Sequence, residues 1–180
     1  EYKVFYTNNN GREGLIVWLD ALAIKMFGTE PWVLRLFPAI AGVLAVLGLY
    51  FLTKELFSVE VALASSFFMA TSFWAVNFSR IGFRAGLMVP ILIWSFYFLY
   101  RGFTQTNAQI NAEKILNFII AGILFGLGFY TYISYRFAPV LALLAFAPMV
   151  FKRGNKQLWI LTLVFVCVVF LVALLLKTSA

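Results

Sequence analysis

Two arginines four residues apart, Arg80 and Arg84, stand between two long apolar segments. A charge beside hydrophobic spans is costly unless it reaches water, a partner or an anionic ligand. If a helix begins at this turn, the i, i+4 spacing places both guanidinium groups on one face, where both can bind one phosphate. The alternative is that both arginines anchor helix ends among lipid headgroups.

Carboxylates precede this turn in the chain. Residues 12–27 have a helical apolar pattern, so we expect Glu13 and Asp20, seven residues apart, to share one helix face about 10 Å apart. Gly28 and Pro31 end this helix. It is short for a membrane span, and we expect it to lie in the membrane interface, with a short tilted span as the alternative.

Several classes of chemistry are excluded by residue types. The chain has no histidine, and its one cysteine, Cys167, lies in an apolar segment. Ser-His-Asp catalysis, histidine zinc sites and disulfides are therefore absent from this sequence. Chemistry here depends on carboxylates, arginines, lysines and tyrosines. No cofactor is evident, and the sequence does not decide whether a divalent metal takes part.

The composition indicates an integral membrane protein. Of 180 residues, 63% are hydrophobic and 12% are charged, whereas soluble domains are about half apolar and a quarter charged. The net charge of +7 comes from basic residues scattered singly between apolar segments. This pattern excludes a nucleic-acid surface and favours lipid headgroups and lipid phosphates as partners.

The fold class we predict is all-α, a polytopic transmembrane helix bundle. Residues 1–31 form an outer-face loop and the interfacial helix, and residues 32–180 form the bundle, which we expect to be truncated at both ends. The first eleven residues, ending in Asn-Asn-Asn-Gly, are predicted as loop. About six spans follow from the apolar runs, at residues 33–52, 59–77, 87–100, 115–131, 137–151 and 158–176. Glycines within them, such as Gly42, Gly48, Gly122, Gly126 and Gly128, are predicted packing positions.

Basic residues predict the orientation of the bundle. One set of turns carries six of them, namely Lys54, Arg101, Lys114, Lys152, Arg153 and Lys156. The other set carries Arg80, Arg84 and Arg136, and Arg35 heads the first span on that side. The first set is richer and therefore cytoplasmic. The N-terminal segment and both arginine-bearing turns then lie on the outer face, where an anionic ligand explains the three arginines better than anchoring does.

Segments spread over most of the chain resemble one enzyme family. Residues 32–44 (WVLRLFPAIAGVL) resemble the start of the second transmembrane helix of protein O-mannosyltransferase-like enzymes, which belong to the GT-C class and glycosyltransferase family 39. Residues 12–15 (REGL) with the following helix resemble the preceding outer-face helix. Residues 70–80 (ATSFWAVNFSR) resemble the end of the third helix, and 130–132 (YTY) with Arg136 and Pro139 resemble a turn of bacterial relatives.

The resemblance implies a function. Such enzymes transfer a sugar from a polyprenyl-phosphate donor to a protein, lipid or glycan acceptor at the outer face, here that of a prokaryotic plasma membrane. It implies further that the main catalytic carboxylate precedes Glu1, so that Glu13 is the catalytic candidate within these residues. Many relatives carry an aspartate where this chain has Ala85, which leaves the sugar and the handling of the acceptor open.

The candidate site combines both lines of reasoning. Arg80 and Arg35 match arginines of the family, and Arg136 and Arg84 join them as candidate ligands of the donor phosphate. Pocket candidates are Arg12, Asp20, Tyr132 and Tyr135. No metal site is predicted.

Two other functions remain possible from the sequence. A transporter or flippase segment would use the same arginines to bind an anionic lipid or solute, and Pro90 within a span favours it. Charges clustered at one face rather than at mid-membrane count against it. A protein of the same family that binds the lipid-linked sugar without transferring it is the other alternative.

Overall fold

The computed structural model describes residues 5–6, 12–104, 112–153 and 156–178. Nearly all of them are helical, which confirms the predicted all-α class. The α-helices, in chain order, are α1 Leu15–Phe27, α2 Val33–Leu56, α3 Val59–Thr71, α4 Phe73–Ile81, α5 Met88–Thr104, α6 Ala112–Gly128, α7 Ala138–Arg153 and α8 Lys156–Thr178. Two 3-10 helices, Arg84–Leu87 and Ile133–Phe137, precede α5 and α7.

The segment before α1 differs from the prediction. Strand β1 (Phe5–Tyr6) pairs antiparallel with β2 (Arg12–Glu13), Phe5 lying opposite Glu13. Pairing holds the backbone of Arg12 and Glu13 extended, and α1 begins only after Gly14. Glu13 and Asp20 therefore do not share a helix face. The predicted Asn-rich turn at 8–11 lies outside the described residues.

Helix α1 is short. Its 13 residues extend about 20 Å, less than the ~30 Å hydrocarbon core of a bilayer. It packs on α2 and ends, as predicted, at Gly28, whose N–H donates to the Ile24 carbonyl at 2.9 Å. Gly28 has a φ of 89°, which favours glycine. Its location in the membrane interface stays a prediction.

Within the described residues, two helices are long and apolar enough to cross a membrane, Val33–Leu56 and Arg84–Thr104. The latter combines the first 3-10 helix with α5. A third span results if α3 and α4 are counted together. Two further apolar helices, Ile133–Phe146 and Leu158–Val172, are shorter. The described residues thus hold two or three candidate spans, and the number six stays a prediction.

The predicted span 59–77 is broken at Ser72. Helices α3 and α4 meet there at a bend of 54°. Ser72 adopts an extended conformation, with ψ at 127°, so the α-helical hydrogen bonds cannot continue through it. The Thr71 hydroxyl donates to the Phe67 carbonyl at 2.9 Å and to the Phe68 carbonyl at 3.5 Å, and the latter is one of the last four carbonyls of α3.

Glycines mark the closest helix contacts, as predicted. A β-carbon on Gly48 of α2 would lie 2.8 Å from Trp94 Nε1 of α5, and that Nε1 donates to the Leu44 carbonyl at 3.0 Å. In the second half of the bundle, Gly122 meets Val168 and Gly126 meets Val172. Because both partners advance by four residues, α6 and α8 run parallel.

The core lies between α5, α6, α7 and α8. It is built largely from aromatic and leucine side chains, among them Leu99, Phe103, Phe118, Phe125, Tyr135, Phe146, Leu158, Leu161 and Phe165. Ser95 Oγ of α5 donates to the Ala121 carbonyl of α6 at 3.1 Å within it. The core includes Tyr135 of the α6–α7 turn, so packing in the core holds this turn in place.

Three segments meet at one end of the bundle, which we call the arginine end: the start of α2, the α4–α5 turn and the α6–α7 turn. A β-carbon on Gly82 would lie 3.6 Å from the Leu34 carbonyl oxygen. The Arg84 guanidinium lies 5.4 Å from the centre of the Tyr132 ring. These contacts confirm that the three turns gather at one end. Which side of the membrane this end faces stays a prediction.

Candidate functional site

An open groove of about 610 Å³ runs from the arginine end along α2, between that helix and the broken pair α3–α4. We call it the arginine groove. Arg35 and Arg80 both line it. On α2 it extends from Arg35 to Leu47, which is about 18 Å of helix.

Small and aliphatic residues form the rest of the arginine groove. They include Pro38, Ala39, Gly42, Val43, Val46, Ala70, Ala75, Val76 and Val89. Helices α2 and α4 touch at Gly42, where a β-carbon would lie 2.8 Å from Ser79 Cβ. Since lining residues come from both sides of Ser72, the 54° bend helps to shape the groove.

Local structure at two helix ends explains how Arg35 and Arg80 come together. Arg35 lies in the first turn of α2, and Arg80 lies in the last turn of α4. Because α2 leaves the arginine end and α4 arrives there, these turns are adjacent. Gly82, in the left-handed conformation with φ at 72°, then turns the chain beside Leu34 and Pro38.

The electrostatics of the groove mouth favour an anion. Both arginines are exposed. In the part of the chain that the structure describes, no carboxylate forms an ion pair with either of them. A guanidinium presents several N–H donors in a planar fork that matches phosphate. The arrangement therefore suits a phosphate joined to an apolar chain.

Arg84 takes a different place from Arg80. Helix α4 ends at Ile81, and Arg84 begins the next 3-10 helix, so the expected common helix face is wrong. The left-handed Gly82 separates the two side chains. Arg84 lies over the Tyr132 ring, and the Phe83 ring lies 6.0 Å from the same ring. Arg84 and Tyr132 thereby join the two turns rather than lining the groove.

The other candidates of the α6–α7 turn divide between surface and core. Arg136 is exposed in the second 3-10 helix and does not line the arginine groove. Tyr135 is 1% exposed, and its ring packs against Gly128 and lies 5.5 Å from the Phe125 ring. The structure therefore places Tyr135 in the core, away from the groove mouth.

The carboxylate candidates lie near α1. Glu13 and Arg12 are in β2, and their side chains are outside the described set. Asp20 is half-buried, and its Oδ1 has no hydrogen-bond partner among the described residues. Burial raises the pKa of the Asp20 carboxyl above the usual aspartate value. Over the described ranges, no three His, Cys, Asp or Glu side chains group closely enough to hold a metal ion.

The apolar wall of the groove was missed by reasoning from charged residues alone. Its signal is present in the sequence, because Ala39, Gly42, Val43 and Val46 follow the i, i+3, i+4, i+7 spacing of one helix face. Small residues on that face allow a neighbouring chain or helix to approach closely. The pattern alone does not distinguish helix packing from a ligand groove.

Comparison with known proteins identifies one family. The model of a family described as dolichyl-phosphate-mannose-protein mannosyltransferase matches residues 15–176. The match covers α1 through nearly all of α8, including Arg35 and Arg80. No curated protein and no solved structure gives a significant match to the chain.

Proposed function

Because the chain belongs to the dolichyl-phosphate-mannose-protein mannosyltransferase family, we propose that it transfers a hexose, of the mannose type, from a polyprenyl-phosphate donor to an acceptor. The acceptor is a protein, a lipid or a glycan. The observation that carries this proposal is the joint position of Arg35 and Arg80 at the mouth of one apolar groove.

The donor has two chemically different parts, and the arginine groove offers a surface to each. Its phosphate binds to the guanidinium groups of Arg35 and Arg80. The first isoprenoid units lie against the small aliphatic residues of α2 and α4. Arg84 and Arg136 contribute positive potential from the neighbouring turns, and Tyr132 fixes Arg84 through the cation–π contact.

The chemistry follows from the same charges. The bond between the anomeric carbon and the phosphate oxygen breaks, and the bonding electrons stay on the phosphate. Arginines beside the phosphate stabilise the negative charge that develops there. An acceptor hydroxyl attacks the anomeric carbon and gives its proton to a carboxylate base. Within this sequence Glu13 is the candidate for that base, with Asp20 and Arg12 as pocket residues.

Orientation and domain organisation complete the proposal. The end opposite the arginine end carries Lys54, Arg101, Lys114, Lys152, Arg153 and Lys156. By the positive-inside rule that end is cytoplasmic, and transfer takes place at the outer face of the membrane. Residues 1–31 then form the outer-face domain, with α1 in the membrane interface, and residues 32–180 form the bundle.

The test is donor binding by the full-length protein in nanodiscs of uncharged lipid. Wild type, Arg35→Ala, Arg80→Ala and Arg84→Ala are titrated with labelled polyprenyl-phosphate mannose. We expect large losses for Arg35→Ala and Arg80→Ala and a smaller loss for Arg84→Ala. The matched control is Arg101→Ala, because Arg101 lies at the other end and pairs with Glu113 at 3.5 Å. Wild-type protein that binds no donor would refute the proposal.

One observation favours a second function, an anion or lipid transporter. The broken helix at Ser72 is of the kind that transporters place at substrate sites. The arginines, however, lie at helix ends rather than beside this break. Movement of the labelled donor between leaflets without release of its sugar would favour the transporter.

A further inference from the structure

A second groove, distinct from the arginine groove, is lined by residues of α5, α6, α7 and α8. Its volume is about 570 Å³, within the roughly 300–1,000 Å³ of typical ligand pockets. Six of its lining residues define it: Phe103, Ala142, Phe146, Trp159, Thr162 and Val169. We call it the α7–α8 groove.

Its lining offers almost no polar contact. Thr162 carries the one hydroxyl among the lining residues, and that hydroxyl donates to the Leu158 carbonyl of its own helix at 2.7 Å. The rim is exposed and apolar, with Leu143 66% and Val166 56% exposed. An occupant of this groove is therefore apolar, and the exposed apolar rim suits a lipid chain that enters from the membrane.

The length of the groove matches one leaflet. On α8 it runs from Trp159, three residues after the start of the helix, to Val169. Ten residues of helix span about 15 Å, which is half of the ~30 Å hydrocarbon core. Trp159 lies near the end opposite the arginine end, where aromatic residues mark the boundary between hydrocarbon and headgroups.

Positive charge is concentrated at this end of the groove. The helix ends and turns that join α5 to α6 and α7 to α8 contain five cations, Arg101, Lys114, Lys152, Arg153 and Lys156, against one carboxylate, Glu113. Glu113 is paired with Arg101. The α2–α3 turn at the same end contains Lys54, Glu55 and Glu60 and has no such excess.

One of these cations lies on the same side of α6 as a residue that lines the groove. Lys114 is 4% exposed and lies eleven residues before Phe125, which lines the groove. That spacing is close to three helical turns, so both residues lie on one side of α6. Phe118 lies between them and packs on Phe103 of the groove at 5.1 Å between ring centres.

We propose that the α7–α8 groove binds one acyl chain of an anionic phospholipid whose phosphate lies at the helix ends that carry Lys152, Arg153 and Lys156. The apolar groove accounts for the chain, and the local excess of cations accounts for the charge of the headgroup. The lipid belongs to the leaflet opposite the arginine end. This inference does not depend on the proposed transfer reaction.

The test measures lipid retained by the full-length protein. The protein is equilibrated with an equimolar mixture of dioleoylphosphatidylglycerol and dioleoylphosphatidylcholine, purified in detergent, and its bound lipid is quantified by mass spectrometry. We expect selective retention of phosphatidylglycerol. In the double variant Lys152→Gln/Lys156→Gln, the preference for phosphatidylglycerol over phosphatidylcholine should fall by about fivefold per cation removed. Lys54→Gln is the matched control and should retain the lipid as wild type does.

A second pair of variants tests the groove itself. Ala142→Trp and Thr162→Phe fill it from α7 and from α8, so that one variant remains informative if the other does not fold. Both should lose phosphatidylglycerol while the protein stays monodisperse. Equal retention of both lipids by wild type would overturn the proposal. It would also be overturned if both filled variants kept the lipid, or if they changed the oligomeric state instead, which would identify a second copy as the occupant.

Discussion

Replacing Arg80 and Arg35 singly and together tests whether both arginines bind one phosphate. A hydrogen bond to a charged group contributes about 1.5–3 kcal/mol. Both side chains are exposed at an open groove, so the lower value applies. Arg80→Gln should therefore weaken donor binding by about 1.5 kcal/mol, which is roughly tenfold in Kd. Arg35→Gln should have a similar effect.

The double variant distinguishes a shared ligand from two separate ones. Residues that contact the same group are energetically coupled, whereas independent sites add within about 0.5 kcal/mol. We expect the loss in Arg35→Gln/Arg80→Gln to differ from the sum of the single losses by more than this. The assay is equilibrium binding of labelled polyprenyl-phosphate mannose in uncharged nanodiscs. Additive losses, or unchanged binding by Arg80→Gln, would refute the shared site.

Three further perturbations test the elements around the groove. Gly82→Ala places a side chain at a φ of 72° and should destabilise the protein by about 1 kcal/mol. Gly86→Ala is the matched control. A β-carbon there meets only an ordinary contact at 3.7 Å, so this variant should have the melting temperature of wild type. Asp20→Asn should raise the melting temperature at neutral pH and remove a fall in stability with rising pH. The reason is that the folded protein keeps the Asp20 proton at pH values where the unfolded chain has released it. A pH profile of stability equal to that of wild type would contradict the burial of this carboxyl. Tyr132→Leu should weaken donor binding more than Tyr132→Phe does, because only leucine removes the ring beneath Arg84, and equal effects would show that this contact plays no part.

The helices and some of their ends could be predicted from the sequence, because long apolar runs indicate helices and glycines mark their ends and contacts. The stop at Gly28 and the packing at Gly48 and Gly122 depend on local chemistry that is visible in the residues themselves. The position of Arg35 and Arg80 at one end could also be predicted. Successive antiparallel spans reverse direction, so the start of the first span and the turn after the second lie at the same end.

Other features depend on single backbone conformations that no periodicity reveals. The apolar run across Ser72 reads as one continuous span, yet one extended residue bends it by 54°. Likewise Gly82 turns the chain between Arg80 and Arg84, so the i, i+4 spacing does not produce one helix face. Glu13 lies in β2 because it pairs with Phe5, a contact outside any helical window.

Under the two proposals, the two ends of the bundle bind different ligands. The arginine end offers exposed cations beside small aliphatic residues, which suits a ligand that must enter and leave. The α7–α8 groove has aromatic walls and a single hydroxyl, which is already bonded within α8, and this suits a lipid chain. The buried core between α5, α6, α7 and α8 supplies part of the second surface, since Phe103, Phe146 and Phe165 belong to both.

The central claim is tested most directly by donor turnover. Full-length protein in uncharged nanodiscs is given labelled polyprenyl-phosphate mannose with a membrane extract as the source of acceptors, and the free polyprenyl phosphate formed is measured. We predict release by wild type and by the Arg101→Ala control, and at least a tenfold loss with Arg80→Ala at equal protein stability. Turnover by Arg80→Ala at the wild-type rate would contradict the account of the arginine groove as the donor site.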